Sequence, residues 1–290
     1  MEQDAVHIHW FPGHMMKTLR LIAADIKNVD LVIELLDARI PASSKNPELA
    51  VLTRGKPQLL LLNKSDLADA DATRRWIDAY KKNGCGAVAV SARDRALRAT
   101  CSKAANALLS EKLARAKERG TAGQRLRAMV VGVPNVGKST LINTLAGGAL
   151  TKTEDRPGVT RGKQWITTPE FELLDMPGVL WRKFDSPQTG LKLAFTGAIK
   201  DDVFDTEQVA ACLLSILAQR YPDRLSERFK LTQAELAQEG WQLLEAAARR
   251  RGLLLGGGIC DTARAAAAVL DELRAGKLGR ITFEEPENDL

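Results

Sequence analysis

Five short apolar runs, residues 29–36, 58–62, 87–90, 128–131 and 171–174, stop abruptly at Asp37, Asn63, Ser91, Gly132 and Asp175 respectively. Unbroken apolar runs of this length are the pattern of parallel strands covered on both faces, whereas a strand with one wet face alternates. Stretches of helical period fall between them, at 15–28, 71–82, 96–119 and 138–146. Open α/β sheets bind ligands outside the carboxyl ends of their strands, so the five strand-end turns are where chemistry is expected. Beyond residue 187 the strand signals cease. Residues 190–277 read as successive helices broken at Tyr221-Pro222, at Gly240 and at Gly256-Gly257-Gly258. The pattern predicts an α/β domain with a mostly parallel sheet and an N-terminal helical segment over 1–185, then a smaller, mainly α-helical domain over 186–290.

Four of the turns carry recognisable chemistry. Gly132-Val133-Pro134-Asn135-Val136-Gly137-Lys138-Ser139 matches the phosphate-binding loop G-x-x-x-x-G-K-[ST], between a strand and a helix. Backbone N–H groups around Asn135, Val136 and Gly137, with the start of the helix at Lys138, Ser139 and Thr140, would cradle phosphates. Lys138 would bridge the β- and γ-oxygens, and the Ser139 hydroxyl would ligate Mg²⁺. Asn63-Lys64-Ser65-Asp66 chooses the base: the carboxylate of Asp66 can accept from guanine N1–H and N2–H₂ together, a pairing adenine cannot offer. Buried hydrogen bonding of this kind discriminates by about 10⁴ or more, so GTP is the expected substrate. Ser91-Ala92 suits the loop whose backbone N–H meets guanine O6. Asp175-Met176-Pro177-Gly178 supplies a Mg²⁺-linked carboxylate and, around Pro177 and Gly178, an N–H for the γ-phosphate. Thr160 is the candidate switch threonine, a further Mg²⁺ ligand and part of the catalytic apparatus. The base-reading motif comes first in this chain, although the usual linear order puts it last. The fold class expected is therefore a circularly permuted P-loop GTPase domain followed by a helical domain.

Composition fits such a chain: 290 residues, 45% hydrophobic and 27% charged, with four cysteines in no metal-binding spacing. There is no apolar run near the ~20 residues of a membrane span and no targeting pattern, so a cytoplasmic protein with no membrane partner is expected. The net charge of +6 is unevenly placed. Residues 74–127 hold 14 basic against 4 acidic side chains, a field suited to a polyanion such as RNA, or else a set of solvated helix faces.

With the permuted order, the segments Trp10-Phe11-Pro12-Gly13-His14-Met15, Asp37-Ala38-Arg39-Ile40-Pro41 and Gly132 to Ser139 resemble the ribosome biogenesis GTPase A family. The likeness extends to Thr196-Gly197-Ala198-Ile199-Lys200-Asp201 and the late glycine-rich turn. It implies a factor that binds precursors of the bacterial large ribosomal subunit, both rRNA and ribosomal proteins, promotes late assembly and is released after GTP hydrolysis. The helical domain would share the RNA contact, and a monomer is expected. Val179 stands where many small GTPases carry a water-orienting glutamine, and the resemblance transfers that catalytic role to His14. A structural or RNA-contacting histidine is the alternative. Related GTPases with asparagine at the Asn135 position use it to hold K⁺, against a loop asparagine chosen for turn geometry. Trp10 and Phe11 either stack on bases or anchor the N-terminal segment. Gly256-Gly257-Gly258, without a following Lys-[ST], reads as a flexible helix break. Two other functions stay open: a GTP-gated RNA-binding placeholder with negligible turnover, and a tRNA-acting GTPase, for which no partner motif is visible.

Overall fold

The computed structural model describes residues 8, 10, 12–92, 94–119, 125–148 and 163–289. Two compact units form, residues 11–183 with 282–290 and residues 1–10 with 184–281. The last nine residues thus rejoin the α/β unit instead of closing the helical one.

The α/β unit runs α1 (Gly13–Asp25), β1 (Leu31–Asp37), α2 (Pro47–Leu52), β2 (Gln58–Asn63), α3 (Ala70–Lys82), β3 (Gly86–Ala89), α4 (Leu97–Leu108), α5 (Ser110–Glu118), β4 (Leu126–Gly132), α6 (Lys138–Ala146), β5 (Gln164–Thr167) and β6 (Phe171–Asp175). Among the described residues six strands form one sheet in the order β3-β2-β1-β4-β6-β5, parallel except for β5, which runs antiparallel to β6. All five apolar runs are strands. β5 was not legible, because of its four residues only Ile166 is buried and the others give no apolar run. The expected helix over 96–119 is two helices, broken at Leu109. Leu109 turns its side chain into the core, α4 buries Leu97, Cys101 and Ala105, and α5 buries nothing, so the chain stops following one helical face.

Register brings the motifs into one row. Asp37 pairs with Asn63, Leu35 with Gly132 and Val130 with Asp175, so the polar turns emerge side by side at the strands' carboxyl ends. On one face of the sheet, Trp76 and Tyr80 of α3 pack on Leu36, Leu60, Leu62 and Ala87. α3 itself starts at Asp69, whose Oδ1 accepts from Ala72 N at 2.7 Å, and ends with Lys81 and Lys82, which suit the negative end of the helix dipole. The returning tail is fixed on the same side. Phe283 N donates to Arg39 O at 2.8 Å, Trp76 Nε1 to Glu284 O at 3.1 Å, and the buried Glu284 carboxylate accepts from Ala42 N, Ser43 N and the Ser43 hydroxyl. A last short helix, numbered α13 in chain order and spanning Pro286–Asp289, ends the tail.

In the helical unit, α7 (Pro187–Phe195), α8 (Thr206–Arg220), α9 (Pro222–Phe229), α10 (Gln233–Leu236), α11 (Gly240–Arg250) and α12 (Thr262–Arg274) pack around α8. The break at Gly240 has a packing cause: a Cβ there would lie 2.3 Å from Ala211 O on α8. The triple glycine forms a tight turn, closed by Leu255 N donating to Ile259 O at 2.8 Å, with Gly257 and Gly258 at positive φ.

Glu34 sits buried in the middle of β1, accepting from Asn46 N at 3.3 Å. Burial pushes its pKa up to about 7, with Lys45 and the Asn46 hydrogen bond working against the shift. In the unfolded chain it ionises near the model-peptide value of about 4.3, so folding stability falls as pH rises from there towards 7. Glu34→Gln should therefore gain on the unmodified protein by up to about 3 kcal/mol between pH 5 and pH 8. Thermal unfolding of both proteins at the two pH values measures this. A difference that does not change with pH would place the carboxylate in water or in a stronger pairing.

Candidate functional site

The phosphate loop joins β4 to α6 through backbone that only certain residues tolerate. Gly132 has φ +149°, and a Cβ on it would meet Leu35 O at 2.6 Å. Gly137 has φ +99°, and a Cβ there would lie 2.4 Å from Asn63 Nδ2. Asn135, between them, is left-handed at φ 57°, a conformation asparagine adopts more readily than other side chains. Lys138 and Thr140 follow at the start of α6, the former buried, with Nζ donating to Gly132 O at 3.3 Å and Val133 O at 3.2 Å. These carbonyl bonds are weak and bend the ammonium back over the loop, where phosphate oxygens can replace them.

Asn63 is where the loops meet. Its Nδ2 donates to Val136 O at 2.7 Å, and its Oδ1 accepts from Ala92 N at 2.9 Å, so one amide holds the phosphate loop and the Ser91-Ala92 loop together. Lys64, left-handed at φ 60°, lies along the phosphate loop and donates to Asn135 O at 2.8 Å. Asp66 stays exposed, its carboxylate open to a base edge. The sequence pattern marks Asp37 only as a strand end and Arg39 only within the resemblance, yet the two support this arrangement. Arg39 clamps Asp37 bidentately at 2.9 and 2.7 Å, and Lys64 Nζ lies 3.1 Å from the second Asp37 oxygen. Burial acts to raise the Asp37 pKa, but the two cations outweigh it and hold the carboxyl well below the usual range. The signal that could have found them is an Asp-x-Arg at the carboxyl end of a parallel strand beside the Asn63 turn.

Asp175 ends β6 in the same row, two strands along from Asp37. Its Oδ1 is buried with no hydrogen-bond partner among the described residues, and burial pushes its pKa up to about 6 while Lys138 pulls the other way. Lys138 is lowered by burial to about 8, with Asp175 opposing. An orphaned carboxylate oxygen and a lysine short of counter-charge are what a Mg²⁺–phosphate group would complete, so Asp175 with the Ser139 hydroxyl fits a Mg²⁺ site. Past Pro177, Gly178 lies hard against the phosphate loop: a Cβ there would be 2.8 Å from Pro134 Cα and 3.1 Å from Lys138 Nζ.

Val179 is fully buried, its N–H on Gly132 O at 3.2 Å and its carbonyl accepting from Asn46 Nδ2 at 3.2 Å. Asn46 also escaped the sequence reading. It caps α2 and ties that helix to the segment after Gly178, and the pair Asn46-Pro47 is a helix-start signal. His14 is exposed in the first turn of α1, whose next residue, Met15, is buried and accepts from Leu180 N at 3.4 Å through its sulfur. α1 therefore touches the segment that follows Gly178. Thr160 lies outside the described residues.

Phosphate loop, base loop and Asp-x-x-Gly segment converge at one end of a parallel sheet although the chain visits them in permuted order, and the class so defined is the circularly permuted P-loop GTPase. A sequence model described as "50S ribosome-binding GTPase" matches residues 127–237. "Ribosome biogenesis GTPase A" of Bacillus cereus is 45% identical over 281 residues, spanning 97% of this chain and 94% of that protein. Two crystal structures of YlqF from Thermotoga maritima superpose with a TM-score of 0.64. The GNP-bound form is 27% identical and covers 93% of this chain and 99% of that one; the GDP-bound form is 28% identical and covers 92% and 100%. The chain belongs to the ribosome biogenesis GTPase A family, and it is a GTP hydrolase of ribosome assembly.

Gly178→Ala should force the Asp-x-x-Gly segment off the phosphate loop, and displacements of about 1 Å at a reacting centre cost about 10²-fold in rate. Single-turnover GTP hydrolysis should fall by that factor while the thermal midpoint stays within a few degrees, as expected for a change of about 1 kcal/mol. An unchanged rate would show that the closeness of Gly178 to Pro134 has no bearing on turnover.

Proposed function

We propose that this chain binds precursors of the large ribosomal subunit in its GTP form, promotes their late maturation and leaves after hydrolysis. The observation that carries the reading is the Asn63-centred junction beside an open Asp66 and an orphaned Asp175, in a family whose matching sequence model is described as ribosome-binding. Asn63 and Asp66 would select guanine, with Lys64 along the base and Ser91-Ala92 at O6. Backbone N–H groups from Asn135 to Thr140 would hold the phosphates, and Lys138 would neutralise charge as it moves onto the bridging oxygen. Mg²⁺ at Ser139, Asp175 and Thr160 would supply further charge stabilisation. Asn135 is assigned a K⁺, and Pro177 and Gly178 the γ-phosphate side.

The buried Val179 carries no group that can orient water, so that work falls to another residue. His14 is the candidate, since it is exposed on α1 next to the Met15–Leu180 contact. The same burial of Val179 favours the second reading, a GTP-gated placeholder that turns over negligibly. Particle-stimulated turnover separates the two. RNA contact through the helical unit and a cytoplasmic location complete the proposal.

Base choice is tested by titration with GDP, ADP and xanthosine diphosphate. Asp66→Asn should exchange guanine for xanthine preference, since xanthine offers an acceptor where guanine has its amino group. Tight binding of ADP by the unmodified protein would remove the assignment of Asp66. Catalysis is tested by single-turnover hydrolysis with and without large-subunit precursor particles. His14→Ala should abolish most of the particle's acceleration while particle binding persists, so kcat falls with KM nearly unchanged. Repeating the assay in KCl and NaCl at equal ionic strength should show faster turnover in K⁺, a difference lost in Asn135→Ala. Equal stimulation of both proteins would return His14 to a structural role, and equal rates in both salts would remove K⁺.

A further inference from the structure

The basic stretch 74–127 is less available than its composition suggests, because many of its cations already have partners. Arg75 is paired with Glu285 at 2.7 Å, Lys112 with Asp30, and Arg127 with Glu172 at 2.8 Å. On α4 the situation differs. The helix packs inward through Leu97, Cys101 and Ala105, which leaves the flanking ridge of Arg98, Ser102, Lys103 and Asn106 facing outward. With Arg95 just before the helix and Glu170 from the β5–β6 turn, these residues line an open groove of about 640 Å³.

Three cations outnumber the one carboxylate of Glu170 in this lining, which adds a hydroxyl, an amide and the small Ala99 but no large apolar side chain, so it offers little to a hydrophobic ligand or an amphipathic helix. Arg98 is the fixed cation. Glu170 Oε2 lies 3.9 Å from its Nε, and its guanidinium rests over Gly147 at the carboxyl end of α6, where a Cβ would come within 3.0 Å. Arg95 and Lys103 are exposed and form no ion pair with any described residue, and the neighbouring Asp94 carboxylate is taken up by Ala96 N at 2.9 Å. From Arg98 to Asn106 the ridge runs eight residues, about 12 Å along the helix axis. That is too long for one phosphate group and suits consecutive phosphates of a chain.

We propose that the α4 groove binds the sugar–phosphate backbone of RNA, with Arg95 and Lys103 as the ion-pairing cations, Arg98 as a positioned third, and Ser102 and Asn106 as hydrogen-bonding groups. The proposal rests on the ribosomal reading above and narrows it to one surface. Binding of this kind would carry no sequence specificity, because phosphate contacts set register and hold no base information.

The test uses the full chain and a fluorescently labelled RNA hairpin, titrated between 50 and 200 mM KCl. Arg95→Glu/Lys103→Glu should weaken binding more than tenfold at the lower salt and reduce the slope of log K against log salt by about 2, roughly 0.9 for each phosphate lost. Lys117→Glu/Arg119→Glu makes the same charge change at two exposed positions, in the last turn of α5 and just past it, and should leave the slope unchanged. GDP affinity and the thermal midpoint should match the unmodified protein in both, and an Arg95→Gln/Lys103→Gln pair replaces the first if its fold is lost. Equal losses from the two pairs, or an intact slope in the groove variant, would overturn the groove alone. An unmodified protein that hydrolyses GTP but fails to bind the hairpin would overturn the RNA reading itself, and the groove with it. Polyglutamate competing as strongly as unlabelled RNA would overturn the assignment in favour of an acidic protein partner.

Discussion

The rest of the nucleotide unit depends on one side-chain amide. Asn63 donates to Val136 O and accepts from Ala92 N while its own residue ends β2. An amide is suited to this because it offers a donor and an acceptor back to back, and both partners are backbone groups fixed by their loops. The amide comes close enough to the phosphate loop that residue 137 must be glycine, since a Cβ would fall 2.4 Å from Nδ2. The parallel register makes the junction possible: Asp37 stands beside Asn63 on β1 and Gly132 beside Leu35. Chain order then matters little, because what converges is the row of strand ends and not the sequence of visits. That is the physical reason a permuted chain keeps the same chemistry.

A second layer of ion pairing supports the first. Lys64 adopts a left-handed conformation and lies between Asn135 O and Asp37, whose remaining capacity is filled by Arg39. Taking these charges out of water is costly, and the group is tolerable only because every member has a partner of good geometry. Around the phosphate loop the reverse holds: burial pushes the pKa values of Lys138 and Asp175 towards neutrality, and Asp175 Oδ1 has no hydrogen-bond partner among the described residues.

The sequence made the strands legible where burial on both faces left unbroken apolar runs, and it made the phosphate, base and Asp-x-x-Gly motifs legible because their spacing is fixed by backbone geometry. It did not reveal β5, an edge strand with one buried residue, or the break at Leu109, where tertiary packing ends a helix whose local pattern would continue it. Asp37, Arg39 and Asn46 were hidden for another reason. The Asp37–Arg39 clamp is local, but the groups that Asp37 and Asn46 reach, Lys64 and the Val179 carbonyl, are distant in sequence, and only the fold brings them together. The Glu284 tail is a still longer case, since its hydrogen bonds to Ala42 and Ser43 span some 240 positions of chain.

If Asn63 is the constraint that unites base and phosphate recognition, its removal must damage both at once. Isothermal titration of GDP into Asn63→Ala, beside the unmodified protein, measures this directly. The loss of two buried hydrogen bonds, with their backbone partners left unsatisfied, predicts a weakening of about 100-fold or more, close to 3 kcal/mol. The thermal midpoint of the ligand-free protein should fall by only a few degrees. A loss below about threefold, with that midpoint unchanged, would contradict the central place given to this amide.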